Sequence, residues 1–285
     1  MSNIILVAET GSDVPKDLAK EIGVFLVPMH VTMGERNLDD GSFPVEEICE
    51  YYNNTNKVPK TSGSSPQDFI KVFDEIHRLY PDKQILHLAY SAVTTCSYQS
   101  ALIAAEGRNY ITSIDTKQVS VGQGAVVIKT ARYLRENPSI TMEELVKEVR
   151  NICENTWMSF IPGKLEYLRA GGRVSNAVFI GGKILSIHPS IEIDNGYLVA
   201  KKKYRGKVES VVIKLIEEYS SDKNLDREEV FLIWSIGLSD KIRKVVEEKL
   251  YEIGFKTITW MQTGCVITSH GGPGSFGIVG FSKNE

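Results

Sequence analysis

The sequence has 285 residues, of which 42% are hydrophobic and 24% are charged, a composition typical of globular proteins. Its net charge of −3 argues against a nucleic-acid-binding surface, and no apolar run is long enough to cross a membrane. Four widely spaced cysteines without CxxC spacing argue against a zinc site or a disulfide framework. The apolar run at the N-terminus is too short for a signal peptide, so a cytoplasmic protein is expected.

The first part of the sequence predicts a strand, a helix and a second strand. Ile4–Ala8 is continuously apolar, which is typical of a strand buried on both faces of a parallel sheet. Either Ser12 or Asp13 can cap the helix that follows. Val24–Val31 is predicted to form the second strand. Residues 34–60 are polar and mixed, and we expect them to cross the surface of the domain.

A hydroxyl-rich stretch at Thr61–Pro66 precedes a predicted helix. Ser65 is a suitable N-cap residue, and Asp68 stands where a capping box requires an acidic side chain. A helix start presents unpaired N–H groups at the positive end of the helix dipole, and nearby hydroxyl groups can add further donors. The stretch is therefore interpreted either as a site for a carboxylate or phosphate, or simply as the start of a well-capped surface helix.

The same pattern of strand, polar turn and helix occurs twice more. Ile85–Leu88 is followed by the hydroxyl-rich residues 91–97, and Tyr110–Ile114 is followed by the polar and glycine-rich residues 115–124. A helix is then predicted over Ala125–Leu134. Strands that enter helices through such turns indicate a parallel sheet, where ligands gather at the carboxyl ends of the strands. Three hydroxyl-rich turns at one edge of such a sheet predict a shared anion site.

A change of pattern after the third unit predicts a second domain. A capping box at Thr141 begins a helix, and Trp157–Ile161 then has the pattern of a strand. We therefore predict one domain over residues 1–158 and another over residues 159–285. The second domain is expected to contain a hairpin with an Asp-Asn-Gly turn, two amphipathic helices and two further strands. These helices and strands are predicted at 206–219, 239–253, Val230–Ile236 and Thr257–Met261.

Two side chains of the second half could contribute to an anion site. His270 precedes a glycine-rich turn, where the backbone can approach a ligand and the imidazole can donate to an anion. Arg173 follows a Gly-Gly pair and presents a fork-shaped donor suited to carboxylate or phosphate. Alternatively, His270 only satisfies nearby backbone groups and Arg173 is an ordinary surface arginine. The sequence contains no GxxxxGK[ST], HExxH or GxSxG motif, so a nucleotide cofactor is weakly supported.

Several blocks of the sequence, in this order, resemble the DegV family of fatty-acid-binding proteins. Thr61-Ser62 resembles the family's Thr-Ser pair, and Tyr98-Gln99-Ser100-Ala101 matches the end of its serine-rich block. Leu165–Ser175 is similar to its Leu-x-Tyr-Leu-x-x-Gly-Gly-Arg-hydrophobic-Ser signature. His270 and the Gly-Pro-Gly at residues 272–274 resemble its C-terminal His-x-Gly-Pro-Gly motif. The blocks cover nearly the whole chain, and the last two form a specific signal.

The resemblance implies two α/β domains with a long-chain fatty acid buried in the cleft between them. The first domain would contain a mostly parallel, Rossmann-like sheet, and the second a mixed sheet. Hydroxyl groups of the first domain would hold the carboxylate, and the second domain would cover the acyl chain. Cys96 stands where the family has glycine, which adds volume beside the head group. The ligand-binding residues implied are Thr61, Ser62, Thr95, Cys96, Ser97, Arg173, His270 and Gly271.

The resemblance also implies a role and partners for the protein. Similar proteins are not enzymes, and they present the fatty acid to a separate ATP-dependent fatty acid kinase, which makes an acyl-phosphate for phospholipid synthesis. Transient contact with a membrane surface is compatible with this role. No catalytic residue, metal site, nucleic-acid partner or cofactor other than the fatty acid ligand is expected.

Two other classes of function remain open on the sequence alone. The protein could be a hydrolase or phosphotransferase that acts on an acyl or phosphate ester and uses His270 as its acid–base group. It could instead be a regulator that binds an acidic partner through the basic run Lys201–Lys203, although a solvated strand end explains that run more simply. Turnover by the purified protein would favour the enzyme, and binding of a partner equally well with and without lipid would favour the regulator.

Overall fold

The structure is a computed structural model that describes residues 2–174 and 187–283. Its strands are β1 (Ile4–Glu9), β2 (Val24–Val27), β3 (His30–Met33), β4 (Arg36–Asp39), β5 (Lys60–Ser62), β6 (Gln84–Ala89), β7 (Ile111–Asp115), β8 (Thr156–Ile161), β9 (Ile187–Asp194), β10 (Tyr197–Arg205), β11 (Glu229–Trp234), β12 (Thr257–Gln262) and β13 (Phe276–Phe281). Its α-helices are α1 (Lys16–Glu21), α2 (Glu46–Thr55), α3 (Pro66–Leu79), α4 (Ser97–Ala105), α5 (Ser120–Glu136), α6 (Met142–Glu154), α7 (Leu165–Gly171), α8 (Val208–Asp222), α9 (Asp240–Ile253) and α10 (Cys265–Gly271).

Four parallel strands form the first sheet, in the order β2-β1-β6-β7. Strand β1 is buried along its whole length, as its continuous apolar run predicts. The carboxyl ends of β6 and β7 lead into the polar turns that precede α4 and α5. Two of the three predicted turns therefore lie at one edge of this parallel sheet.

Helix α5 lies between the two large sheets and is buried along most of its length. It packs on β1 and β6 of the first sheet and on β8, β11 and β13 of the second. It begins at Ser120 rather than at the predicted Ala125, because the glycine-rich stretch belongs to the helix and not to the turn. A Cβ at Gly124 would lie 2.5 Å from the carbonyl oxygen of Ser12, so this glycine permits close packing.

Six strands form the second sheet, in the order β10-β9-β8-β13-β11-β12. The β11–β12 pair is parallel and the other pairs are antiparallel, so the sheet is mixed, as the resemblance implies. The β9–β10 hairpin turns at Asn195 and Gly196, which both have positive φ angles, and the Asp-Asn-Gly prediction is confirmed. The proposed domain boundary at residue 158 falls inside β8 and remains a prediction.

A small antiparallel sheet, in the order β4-β3-β5, corrects two predictions. Val24–Val31 forms two strands rather than one, with β2 in the first sheet and β3 in this one. The break falls at Pro28, because proline lacks the backbone N–H that a central strand donates. Thr61 and Ser62 lie in β5, so the first hydroxyl-rich stretch belongs to this sheet and not to the edge of the parallel one.

The predicted cap of the first helix is wrong. Helix α1 begins at Lys16, and neither Ser12 nor Asp13 caps it. Asp13 instead ends the 3₁₀ turn of residues 10–12 in the left-handed conformation, with φ at 56°. Its carboxylate accepts hydrogen bonds from the side chain of Ser120 and the backbone of Gly264. The side chain of Asp13 therefore binds groups that are distant in sequence and does not cap the helix that follows it.

Two capping boxes begin helices where the sequence predicts them. Oγ of Ser65 accepts from the N–H of Asp68 at the start of α3, and the Asp68 carboxylate accepts from the N–H of Ser65. Thr141 and Glu144 make the same exchange at the start of α6. Each box satisfies N–H groups that a helix start otherwise leaves unpaired.

Across residues 2–174 and 187–283, no helix is long and apolar enough to cross a membrane.

The segment around His270 contains a short helix that the sequence analysis does not predict. His270 lies in the last turn of α10, not in a loop. The start of α10 is held by Asp40, whose Oδ1 accepts hydrogen bonds from the N–H groups of Cys265 and Val266 at 2.9 and 3.2 Å. A helix of 7 residues is too short to be stable alone, so these contacts and its packing on α7 define it.

Candidate functional site

A cavity lies at the seam between the two large sheets, and residues from both halves of the chain line it. The space between its lining atoms amounts to about 840 Å³, part of it open to solvent. Much of the wall is apolar and comes from the second sheet and the helices beside it. Six of these side chains are Met158, Phe160, Leu168, Leu198, Ile233 and Val266.

A cluster of polar side chains lies in the wall of the same cavity. It contains Thr61 and Ser62 from β5, Thr95 from the turn after β6, Arg173 after α7 and His270 from α10. Oγ1 of Thr61 lies 2.7 Å from Nε2 of His270, a hydrogen bond between residues 209 positions apart. Hydroxyl, guanidinium and imidazole groups can all donate to an anion. The cavity thus joins a largely apolar wall to a group of anion donors.

The imidazole of His270 is neutral at neutral pH. Burial lowers the pKa of His270 to about 4, and the positive charge of Arg173 adds to this effect. A neutral ring has one donor nitrogen and one acceptor nitrogen, so the hydroxyl group of Thr61 can donate to Nε2 or accept from it. Within the cluster, the positive charge therefore comes from Arg173, and an anionic head group would balance it.

Two close contacts place His270 and Arg173 beside the end of α7. Nη1 of Arg173 donates to the carbonyl oxygen of Gly171 at 2.7 Å. A Cβ at Gly171 would lie 2.2 Å from Nδ1 of His270, so glycine leaves the room that the ring needs. Gly172 follows in the left-handed conformation and ends the helix, as the Gly-Gly pair predicts. Ser175, the last residue of the predicted motif, lies outside the described residues.

The turn after β6 contributes Thr95 to the cavity wall. Gly63 packs closely on this turn: a Cβ there would lie 2.2 Å from Oγ1 of Thr95 and 2.5 Å from Oγ of Ser97. Ser97 is buried, and its Oγ accepts a hydrogen bond from the N–H of Ser64 at 3.0 Å. Cys96 is an exposed free thiol. Ser97 therefore anchors the turn to the segment before α3, while Thr95 faces the cavity.

The structure brings six of the eight predicted ligand-binding residues to one cavity. They are Thr61, Ser62, Thr95, Arg173, His270 and Gly271. Cys96 and Ser97 are not among the described lining residues, and the role of all eight in binding remains a prediction. The wall also contains Tyr90, Ser120 and Thr263, which the sequence analysis does not name as site residues. Ser120 lies in the third polar stretch, which could have indicated it, whereas no sequence signal singles out the other two.

The basic run on β10 makes ion pairs within the chain. Nζ of Lys201 lies 2.8 Å from Oδ2 of Asp194. Nζ of Lys202 lies 3.1 Å from Oε2 of Glu218 and 2.9 Å from Oδ2 of Asp222. These contacts favour the interpretation of the run as a solvated strand over that of a surface kept free for an acidic partner.

The described residues offer no evident metal site. Across the two described ranges, no group of three His, Cys, Asp or Glu side chains is arranged to hold a metal ion. The four cysteines are free thiols. The polar side chains that line the cavity carry hydroxyl groups, one imidazole and one guanidinium.

The chain is similar over nearly its whole length to known proteins. The chain matches the DegV family, described as uncharacterised proteins, over residues 3–283. A DegV domain-containing protein of Caldanaerobacter subterraneus subsp. tengcongensis is 29% identical over 287 residues, which cover 98% of each chain.

Two solved structures share the fold over nearly their whole length. A DegV family protein from Thermus thermophilus, described in terms of fatty acid binding, has a TM-score of 0.87 at 26% identity and covers 98% of this chain and 99% of its own. DegV from Bacillus subtilis, described as a fatty acid binding protein, has a TM-score of 0.84 at 21% identity over 99% of this chain and 100% of its own. Arg173 and His270, one from each of the two glycine motifs, lie in the cavity wall. The family match over residues 3–283 shows that this chain belongs to the DegV family.

Proposed function

We propose that this protein is a non-catalytic carrier that binds a long-chain fatty acid in the cavity between its two large sheets. One observation carries the proposal: the cavity joins a largely apolar wall to a cluster of anion donors, which suits an acyl chain and its carboxylate. The Thermus thermophilus protein, 26% identical and alike in fold, supports the same ligand class. The role requires no cofactor beyond the fatty acid itself.

The acyl chain would supply most of the binding free energy. Each methylene group that leaves water contributes about 0.8 kcal/mol, so about twelve of them contribute on the order of 10 kcal/mol. Association and ordering subtract at least about 4 kcal/mol from this sum. A hydrogen bond to a charged group adds only about 1.5–3 kcal/mol. The polar cluster would therefore fix the direction of the ligand more than its affinity.

The carboxylate would bind among Thr61, Ser62, Thr95, Arg173 and His270. The three hydroxyl groups donate hydrogen bonds, and the guanidinium of Arg173 neutralises the negative charge. A bound carboxylate would also oppose the influence of Arg173 on His270, so the pKa of His270 should rise when the ligand binds.

A fatty acid should accompany the purified protein, and the two threonines of the cluster should help to retain it. We expect native mass spectrometry and solvent extraction to find about one fatty acid per protein. Thr61→Ala combined with Thr95→Ala should weaken retention by about 100-fold or more, because two hydrogen bonds to the carboxylate are lost, each contributing about 1.5 kcal/mol or more. The exposed threonines Thr55 and Thr257, both changed to alanine, provide the matched control. A protein that arrives empty and takes up no added fatty acid would overturn the proposal.

The carboxylate end of the cavity is accessible to a partner protein. Ser62 and Arg173 both line the cavity and have exposed side chains. We propose that a separate ATP-dependent fatty acid kinase acts on the carboxylate there and forms an acyl-phosphate for phospholipid synthesis. Because the reaction uses ATP, the same proposal assigns the protein to the cytoplasm, with transient contact to a membrane for loading.

Reconstitution with a fatty acid kinase tests this partner. We expect ATP, the kinase and the loaded protein together to yield acyl-phosphate, which hydroxylamine traps as a hydroxamate. Omitting the carrier should abolish the product, and the Thr61→Ala, Thr95→Ala protein should give less of it. A kinase that converts free fatty acid equally well without the carrier would contradict the proposed role.

A hydrolase or phosphotransferase is the second candidate, and one contact favours it. The 2.7 Å hydrogen bond between Thr61 and His270 has the geometry of a nucleophile–base pair. Against it, a base with a pKa of about 4 is poorly matched to proton transfer near neutral pH. Turnover of an acyl-phosphate or acyl-thioester by the protein alone, lost in His270→Ala, would establish the enzyme. Absence of turnover would favour the carrier over the enzyme.

A further inference from the structure

Asp13 bridges the two halves of the chain beside the cavity. The residue is only 5% exposed. Oδ2 accepts a hydrogen bond from Oγ of Ser120 at 2.5 Å, and Oδ1 accepts one from the N–H of Gly264 at 2.7 Å. Ser120 lines the cavity as the first residue of α5, and Gly264 immediately precedes α10. One carboxylate thus joins one wall of the cavity to the helix that carries His270.

Both ends of the Asp13–Ser120 contact have an unusual backbone. Asp13 has a φ of 56° and Ser120 a φ of 50°, the left-handed region that residues with side chains rarely adopt. Such conformations persist where the surrounding contacts enforce them. The backbone N–H of Asp13 closes the 3₁₀ turn of residues 10–12, while its carboxylate makes the bridge to Ser120 and Gly264. The same residue therefore ends a local turn and connects two halves of the chain.

The contact with Gly264 is additional to the cap that α10 already has. Asp40 binds the N–H groups of Cys265 and Val266, so the first turn of α10 remains capped without Asp13. Burial raises the pKa of the Asp13 carboxyl well above its usual range, against the effect of its hydrogen bonds to Gly264 and Ser120. Burial of this carboxyl group is unfavourable, and Asp40 already caps α10. We therefore expect Asp13 to have a role other than starting that helix.

We propose that Asp13 is a positioning residue of the head-group site. It sets α10 against the first half of the chain at the angle that brings His270, at the far end of that helix, to Thr61. The proposal rests on the proposed fatty acid site, since it assigns a residue that shapes that site without touching the carboxylate. It predicts that loss of the bridge changes the Thr61–His270 hydrogen bond before it unfolds the protein.

Asp13→Gly removes the carboxylate and keeps the backbone unstrained, because glycine readily adopts a φ of 56°. Asp13→Asn keeps an oxygen that can accept from Gly264 and also tolerates the left-handed conformation. Asp17→Asn, on the exposed surface of α1, is the matched control. The readouts are the ¹⁵N chemical shifts of the His270 imidazole without ligand, the dissociation constant for added palmitic acid, and thermal unfolding.

We expect Asp13→Gly to remain folded, to shift the imidazole signals of His270 and to weaken palmitic acid binding about tenfold, with most of both effects recovered in Asp13→Asn. If Asp13→Gly does not fold, Ser120→Gly removes only the hydroxyl end of the bridge and should shift the same signals. Unchanged His270 signals in the folded variants would overturn the inference. A wild-type protein that fails to bind palmitic acid would defeat the proposed function, while the His270 signals would still decide the role of Asp13.

Discussion

Gly171→Ala should weaken fatty acid binding by about 10- to 100-fold and lower the free energy of unfolding by about 1–3 kcal/mol. The new Cβ would lie 2.2 Å from Nδ1 of His270 and 3.1 Å from its Cε1. A planar ring cannot bend away from such a contact, so it must turn or shift and lose the hydrogen bond to Thr61. The same substitution disturbs the carbonyl group to which Arg173 donates.

Gly172→Asn is the control for Gly171→Ala. Gly172 has a φ of 64°, which asparagine tolerates better than most residues. A Cβ at Gly172 would meet no atom of the described residues within 4 Å, apart from its own chain neighbours and the backbone of its helix. We therefore expect near-normal binding and a small loss of stability. Titration with a fluorescent fatty acid and chemical unfolding measure both quantities. If the two variants bind equally well, the fit of the His270 ring against Gly171 does not govern the site.

His270 should contribute on the order of 3 kcal/mol to the stability of the ligand-free protein, and this contribution should be lost as the pH drops from about 6.5 to about 4. The pKa of His270 is lower in the folded protein than in the unfolded chain, so the unfolded chain binds a proton first. The stabilisation is therefore complete above pH 6.5 and is lost as the pH falls through the folded pKa of about 4.

The comparison of wild type with His270→Gln isolates this contribution. Burial raises the pKa values of Asp13 and Asp40, which favours folding as the pH falls and opposes the effect of His270. Both carboxyl groups are present in each protein, so the difference between the two stability curves removes them. We expect the difference to appear between pH 6.5 and 4 and to level off outside that window. Parallel curves throughout would contradict a depressed pKa for His270.

Arg173→Gln separates the two causes of the depressed His270 pKa. Burial is the larger cause and the charge of Arg173 the smaller, so removing the charge should raise the pKa of His270 only slightly. A fatty acid carboxylate in the same position should raise it as well. Titration of the imidazole ¹⁵N signals in wild type and in Arg173→Gln measures both changes. A pKa that returns to its ordinary value in Arg173→Gln would show that charge, and not burial, dominates.

Local signals in the sequence predicted local structure well. The capping boxes at Ser65 and Thr141, the Asn195-Gly196 turn and the buried strand Ile4–Ala8 each depend on neighbours within a few residues. Structure that depends on a partner distant in sequence was not predicted correctly. Asp13 has the character of a helix cap, but its carboxylate binds groups at positions 120 and 264.

Only part of the candidate site was predicted, because local motifs indicate some of its residues while distant partners determine the positions of others. Recurrent hydroxyl-rich stretches and the two glycine motifs indicated most of its residues, because each motif carries its own signal. The resemblance implies Thr95, Cys96 and Ser97 together, but only Thr95 is among the described lining residues. Ser97 is buried and binds the N–H of Ser64, and Cys96 is exposed. The helical setting of His270 escaped prediction because α10 is too short for a periodic pattern and is held by Asp40, far away in sequence.

The place of β13 in the second sheet has a consequence for the order of events during protein synthesis. This strand follows all other described strands along the sequence, yet it pairs with β8 on one side and β11 on the other. A nascent chain that has not yet released Phe276–Phe281 from the ribosome leaves both of those neighbours with an unpaired edge, which favours aggregation. The cavity wall includes Met158 of β8, Ile233 of β11 and Ser275, which immediately precedes β13. We therefore expect the cavity to form only after β13 has paired, and loading of the proposed ligand to follow that step.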